Sequence, residues 1–281
     1  MTAVVVLGAG ELGATVARAV AASGVANRVT IVDEAVDVAR GKALDIHQSG
    51  ALEPIDAEVA GSADLATVVG AAAVVLADRH GPAPSEWTGE DGLQRLAQVR
   101  ALNPRALIVC AGASQLDLVE RAVLEQGADR RRLVGSAPEA LRAAAVALTC
   151  LEAGCGPRDL SLILIGRPPA AAFVPWTDAA IGGQPVAAVL EPPALARLDA
   201  RLARLWPPGP LALGTAAGKV VRLALVGGPG SACVFAVPDR AGEIPRRGAA
   251  LPVSFWPDGL RVVVPQLSTR DRVRLESVLR R

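Results

Sequence analysis

A doubly wound α/β sheet followed by a smaller α+β region is the fold this sequence predicts, and three observations predict it. β-Branched runs alternate with helical patterns through the first half of the 281 residues, the signature of a parallel sheet covered by helices on both faces. The first run passes directly into Gly8-Ala9-Gly10-Glu11-Leu12-Gly13 and then into a helical pattern. After Gly135 the alternation gives way to a long alanine-rich helix and, near the C-terminus, to a hairpin pattern.

Strands are expected at Ala3–Leu7, Arg28–Val32, 57–60, 72–77, 106–110 and 132–135, short apolar runs of strand length. Helices are expected between them at Glu11–Ala22, 36–48, 63–70, Gly89–Leu102 and 114–126, giving two consecutive halves joined by right-handed crossovers. The first region therefore spans residues 1–135 and the second 136–281. In the second, strands are expected at 159–166 and near Val186, and a helix at 193–206 stops at Pro207, Pro208 and Pro210, which cannot continue it. A meander through 231–237, 251–255 and 260–264 turns at Asp258-Gly259, and a helix over 268–281 closes the chain.

Composition excludes several classes of function. Half of the residues are apolar, which excludes disorder, and 29 basic against 28 acidic side chains leave a net charge of +1. No bulk attraction to nucleic acid or to an anionic membrane follows from that balance. The apolar runs are too short or too interrupted to cross a bilayer, and nothing ahead of the first strand reads as a signal peptide. A cytoplasmic protein is expected. Cys110, Cys150, Cys155 and Cys233 lack metal-ligand spacing and read as free thiols.

The glycine run carries the first functional reading. Gly8 allows the tight turn, Gly10 lets a pyrophosphate approach the backbone, and Gly13 lets helix and strand pack closely. Glu11 and Leu12 open the helix, whose free N–H groups attract an anion. Asp33, after the second strand, is placed to accept both ribose hydroxyls of NAD, and with Glu34 it repels the extra phosphate of NADP. A Rossmann domain with NAD contacts at Gly8, Gly10, Glu11, Leu12, Gly13 and Asp33 is the expectation.

Together with this run and Asp33, Gly41-Lys42-Ala43-Leu44-Asp45 and the 76–81 end of the fourth strand resemble the lactate/malate dehydrogenase family. Phe173-Val174-Pro175-Trp176, Gly182-Gly183-Gln184-Pro185, Leu251-Pro252-Val253, Asp258-Gly259-Leu260 and Leu267-Ser268-Thr269 extend the likeness to the C-terminus. The resemblance implies an α+β second domain of that family's type, a dimer or tetramer, and an NAD-dependent 2-hydroxyacid dehydrogenase ancestry.

That chemistry needs a histidine to exchange the hydroxyl proton, a carboxylate to orient it, an arginine to fork onto the substrate carboxylate, and a mobile loop arginine over the carbonyl. By the resemblance the carboxylate falls on Glu139 and the substrate arginine on Arg142, while Pro168 or Pro169 takes the histidine's place. Gly89 and Ala83 stand where the loop arginines belong, and Ser114-Gln115 replaces an Asn-Pro pair. Asp78 and Arg79 stand where the family has small residues beside the cofactor; an unpaired Asp78 would repel a pyrophosphate unless Arg79 neutralises it. His80 reads as a solvated loop residue, His47 as packed or solvent-facing, Lys42 as structural, and the four tryptophans as core or interface anchors.

Three functions stay open at this point. The chain is an NAD(H)-binding but catalytically degenerate protein with a regulatory or scaffold role, or an active oxidoreductase with altered proton transfer, or an interaction protein with a vestigial nucleotide site. Its expected partners are NAD(H), a small carboxylate, and further copies of itself or a related dehydrogenase.

Overall fold

The computed structural model of the chain describes residues 2–83, 85–228, 230–239, 247–263 and 266–280. The first half runs β1 (Ala3–Leu7), α1 (Glu11–Ala22), β2 (Arg28–Val32), α2 (Val36–Ser49), β3 (Glu58–Ser62), β4 (Ala73–Leu76), α3 (Gly89–Leu102), β5 (Leu107–Cys110), α4 (Leu116–Leu124) and β6 (Leu133–Gly135). These strands are parallel in the order β3-β2-β1-β4-β5-β6. β4 and β5 are buried at every position, as expected for strands covered by helices on both faces. Val4 and Val6 point to the face carrying α1, and Val5 and Leu7 to the face carrying α3 and α4. Leu7 pairs with Val32 and Leu76, and Leu76 with Cys110. The loops that follow these residues therefore emerge side by side where the strand order reverses, the place at which open α/β sheets form their sites.

The second half runs α5 (Ala137–Ala153), β7 (Leu160–Ser161), β8 (Ile165–Arg167), β9 (Ala171–Phe173), β10 (Ala180–Ile181), β11 (Gln184–Pro185), α6 (Val186–Val189), α7 (Pro192–Leu202), α8 (Pro210–Val226), β12 (Ser231–Ala236), β13 (Ala249–Trp256), β14 (Gly259–Val262) and α9 (Thr269–Arg280). Its main strands do not form a separate sheet. β12 pairs antiparallel with β6 through Phe235 and Gly135, and the sheet continues through β13, β8 and β9. Gly135 suits that junction, because a Cβ there would meet the Phe235 ring. Among the described residues only β7, β10 and β11 pair apart from it, as a small three-stranded sheet.

Two expectations are corrected. The 63–70 helix is a short 3-10 turn, Leu65–Val68, started by Asp64, whose carboxylate accepts the Ala66 N–H at 2.8 Å. The single strand over 159–166 is divided between β7 and β8, which lie in different sheets. The strand expected near Val186 is the two-residue β11, and Val186 itself begins the one-turn α6. α8, a helix not expected from the sequence, packs Gly214 and Gly218 against Thr15 and Ala19 of α1, so closely that a Cβ on either glycine would collide. The expected strand end at Val264 and helix end at Arg281 lie outside the described residues. Among the described residues no helix is long and apolar enough to cross a membrane.

Candidate functional site

The site is built where β1, β4 and β5 end. Gly8, at φ 115°, turns the chain out of β1 while its N–H donates to Val32 O at 2.8 Å. α1 then begins at Glu11 with Gly10 as its cap, so no side chain of the cap satisfies the helix's first N–H groups. Another residue does. Asp78, just beyond β4, accepts the Gly13 N–H at 2.8 Å through Oδ1 and the Leu12 N–H at 3.3 Å through Oδ2, and its carbonyl accepts the Gly10 N–H at 3.0 Å. A Cβ on Gly10 would overlap the Asp78 carboxyl group, and one on Gly13 would overlap the Gly8 carbonyl.

Asp33 is likewise engaged by its own chain. It is buried, and its carboxylate accepts the N–H groups of Ala9 at 2.8 Å, Ala35 at 2.9 Å and His80 at 2.9 Å. Glu86 completes the pattern from the same loop as Asp78. It accepts the N–H groups of Ala113 at 3.1 Å and Ser114 at 2.9 Å, in the turn after β5, and fills the space beside Gly112. Asp78 and Glu86 form an antiparallel bridge, and Arg79 N–H donates to Ser85 O at 2.9 Å. The loop is thus folded back on itself across the strand ends. Gln115, fully buried, clamps it: its Oε1 accepts Gly112 N–H at 2.7 Å and its Nε2 donates to Trp87 O at 3.0 Å.

Beside this loop lies a cavity of about 240 Å³ lined by Leu7, Val32, Asp33, Glu34, Arg79, His80, Trp87 and Arg95 among others. Arg79 does not reach for Asp78. Its guanidinium stacks on Trp87 at 4.6 Å, and Arg95 stacks on the same indole at 4.7 Å, a favourable cation–π arrangement. The Trp87 Nε1–H is buried without a partner. Glu11 is exposed at the start of α1, and His47 and His80 are exposed on α2 and the loop.

The second cluster sits at the start of α5, which Pro138 opens in the first turn, where a missing N–H costs nothing. Glu139, 2% exposed, accepts Arg142 Nε at 2.9 Å and Nη2 at 2.7 Å, Lys219 Nζ at 2.6 Å and the Cys233 N–H at 2.9 Å. Burial pushes its carboxyl pKa up, but the Arg142 hydrogen bond and the charges of Arg142 and Lys219 outweigh it and hold the group below the usual carboxylate range. Burial, with the Glu139 charge, pushes the Cys233 thiol up to about 12, so it stays protonated. The sequence located the Glu139–Arg142 pair three residues apart; it missed Lys219, which only the packing of α8 delivers.

The hairpin β8–β9 turns at Pro168 and Pro169, with Pro169 exposed. Arg167, just before them, donates to Glu120 of α4 at 2.6 Å, and Arg247 donates to the other oxygen of Glu120 at 3.1 Å. Burial raises the Glu120 carboxyl and these two guanidiniums lower it further, so that it too lies below its ordinary value. Among the described residues no group of three or more His, Cys, Asp or Glu side chains is placed to hold a metal ion.

Comparison with known proteins bears on this geometry. No protein-family model matches the chain. Malate dehydrogenase from Thermomicrobium roseum is 30% identical over 171 residues, covering 57% of this chain and 54% of that protein. Malate dehydrogenase from Roseiflexus is 26% identical over 169 residues, covering 57% and 54%. In these matches the chain spans about half the length of its curated relatives. A lactate dehydrogenase from Cryptosporidium parvum, solved with lactic acid and nicotinamide adenine dinucleotide, superposes with a TM-score of 0.87 at 18% identity, covering 99% of this chain and 95% of that one. The chain is thus similar to malate dehydrogenases in sequence over about half of its length, and to a lactate dehydrogenase in fold over nearly all of it. Malate dehydrogenase from Salinibacter ruber gives the same fold with a TM-score of 0.83 at 20% identity, covering 99% and 94%. The overall fold is therefore shared with these dehydrogenases.

Proposed function

We propose that this chain is a lactate/malate dehydrogenase family member that is catalytically silent in 2-hydroxyacid oxidation and serves a regulatory or scaffold role. The observation that carries the reading is the pairing of Arg142: the guanidinium expected to fork onto a substrate carboxylate is already forked onto Glu139. Pro168 and Pro169 at the hairpin turn carry no proton, and Gly89 and Ala83 carry no charge for a carbonyl. A missing proton acceptor is not replaced by tighter substrate binding.

NAD is the cofactor the family implies. Gly8, Gly10, Glu11, Leu12, Gly13 and Asp33 would hold it at the end of β1, yet the residues as placed do not fit its pyrophosphate, because Asp78 holds the Leu12 and Gly13 N–H groups. No step through the cofactor is derived for this chain. A small carboxylate remains a candidate ligand: Arg142 and Lys219 set two positive charges against the single charge of Glu139, and both are partly exposed. Assembly with further copies or with a related dehydrogenase belongs to the same proposal, as do a cytoplasmic location and a division into residues 1–135 and 136–281.

The deciding assay is oxidation of NADH in the presence of oxaloacetate or pyruvate. No appreciable turnover is expected, and a rate above about 1 s⁻¹, within the ordinary enzyme range, overturns the reading.

A further inference from the structure

We infer that the β4–α3 loop is an internal occupant of the dinucleotide site, with the Asp78 carboxylate in the position of a phosphate, and that the protein in this state excludes NAD(H). The inference goes beyond the proposal of catalytic silence, since an enzyme that has lost its histidine can still bind its cofactor.

Three observations converge on it. A helix N-terminus presents free N–H groups and a positive dipole end, which select an anion. Here two N–H groups of the first helical turn, those of Leu12 and Gly13, both end on Asp78. Second, the absence of a side chain at Gly10 opens the space through which a pyrophosphate reaches the backbone. That space holds the Asp78 carboxyl group, since a Cβ on Gly10 would overlap its carbon and both oxygens. Third, the same thing happens two strands over, after β5: the opening beside Gly112 holds the Glu86 carboxylate, on the N–H groups of Ala113 and Ser114. The two carboxylates come from one loop, bridged to each other through the backbone and anchored by Gln115. The expected neutralisation by Arg79 does not occur, because that side chain lies on Trp87. A dinucleotide would have to displace a bonded carboxylate as well as overcome its charge.

The test is calorimetric titration of the whole protein with NADH, and separately with inorganic pyrophosphate, on the unaltered chain and on Asp78→Ala and Asp78→Ser. Serine keeps a short side chain able to cap the helix, so it serves if the alanine variant does not fold. The unaltered protein is expected to show no saturable binding of either probe up to about 1 mM, and a folded variant to bind both at least about tenfold more tightly than that limit. Saturable NADH binding by the unaltered protein overturns the inference, as does failure of the folded variants to gain affinity. The readout is binding rather than turnover, so its result is independent of the dehydrogenase assay.

Discussion

Asp78 and Glu139 are two carboxylates that close two expected ligand sites, and they are held by opposite means. Glu139 is buried between two cations and one backbone N–H, whereas Asp78 is held by backbone N–H groups alone at the end of a helix. Removing the first leaves two partly buried cations without the carboxylate they share; removing the second leaves N–H groups that water or an anion can satisfy. An ion cluster of the first kind is therefore a fixed part of the fold. A capped helix end of the second kind is an exchangeable contact.

The contrast is tested from its costly end downward. Glu139→Ala is expected to destabilise the protein by about 3–5 kcal/mol, the usual consequence of stranding a partly buried cation, measured by urea denaturation; a loss below about 1 kcal/mol would mean that Arg142 and Lys219 simply turn to solvent. Acid probes the same cluster. Because the Glu139 and Glu120 carboxyls lie below their ordinary values in the folded protein, the stability they contribute is complete above the unfolded value of about 4.3 and is lost as pH falls through the folded values. Thermal melts should show the midpoint falling steeply below that pH, and less steeply in Glu139→Gln; equal slopes would remove Glu139 from the account.

Asp78→Ala is expected to cost only about 1 kcal/mol, as for loss of a helix cap, and millimolar inorganic pyrophosphate should restore part of it by binding only the folded chain. A loss as large as that of Glu139→Ala would break the distinction between the two sites. Smallest of all is Glu86→Ala, expected to cost about 0.5 kcal/mol because the Ser114 end of its contact faces solvent.

Legibility from sequence divides along the same line. The glycine turn and the Glu139–Arg142 pair were readable because each depends on near neighbours: a strand running into a turn, or two side chains on one helical face. What Asp78 does was not readable, since its partners Leu12 and Gly13 are more than 60 residues away in the chain. Local sequence suggested repulsion of a phosphate; the fold replaces the phosphate instead. Lys219 was hidden for a related reason. α8 follows a run of prolines and carries Gly214 and Gly218 in its interior, weak signals for a helix, and its place is set by the fit of those glycines against α1. The short turn at Leu65–Val68 illustrates the converse, a helical pattern too brief to nucleate a full helix.

The pairing of Gly135 with Phe235 also governs how this molecule can be cut. A fragment ending near residue 135 would leave β6 as a bare sheet edge and strip α8 from α1, exposing the close-packed seam at Thr15 and Ala19. Unpaired edges of apolar strands invite pairing with other chains. The first half of this chain should consequently be recovered as aggregate when expressed alone, and deletion boundaries belong in surface loops that leave both α8 and β12 in place.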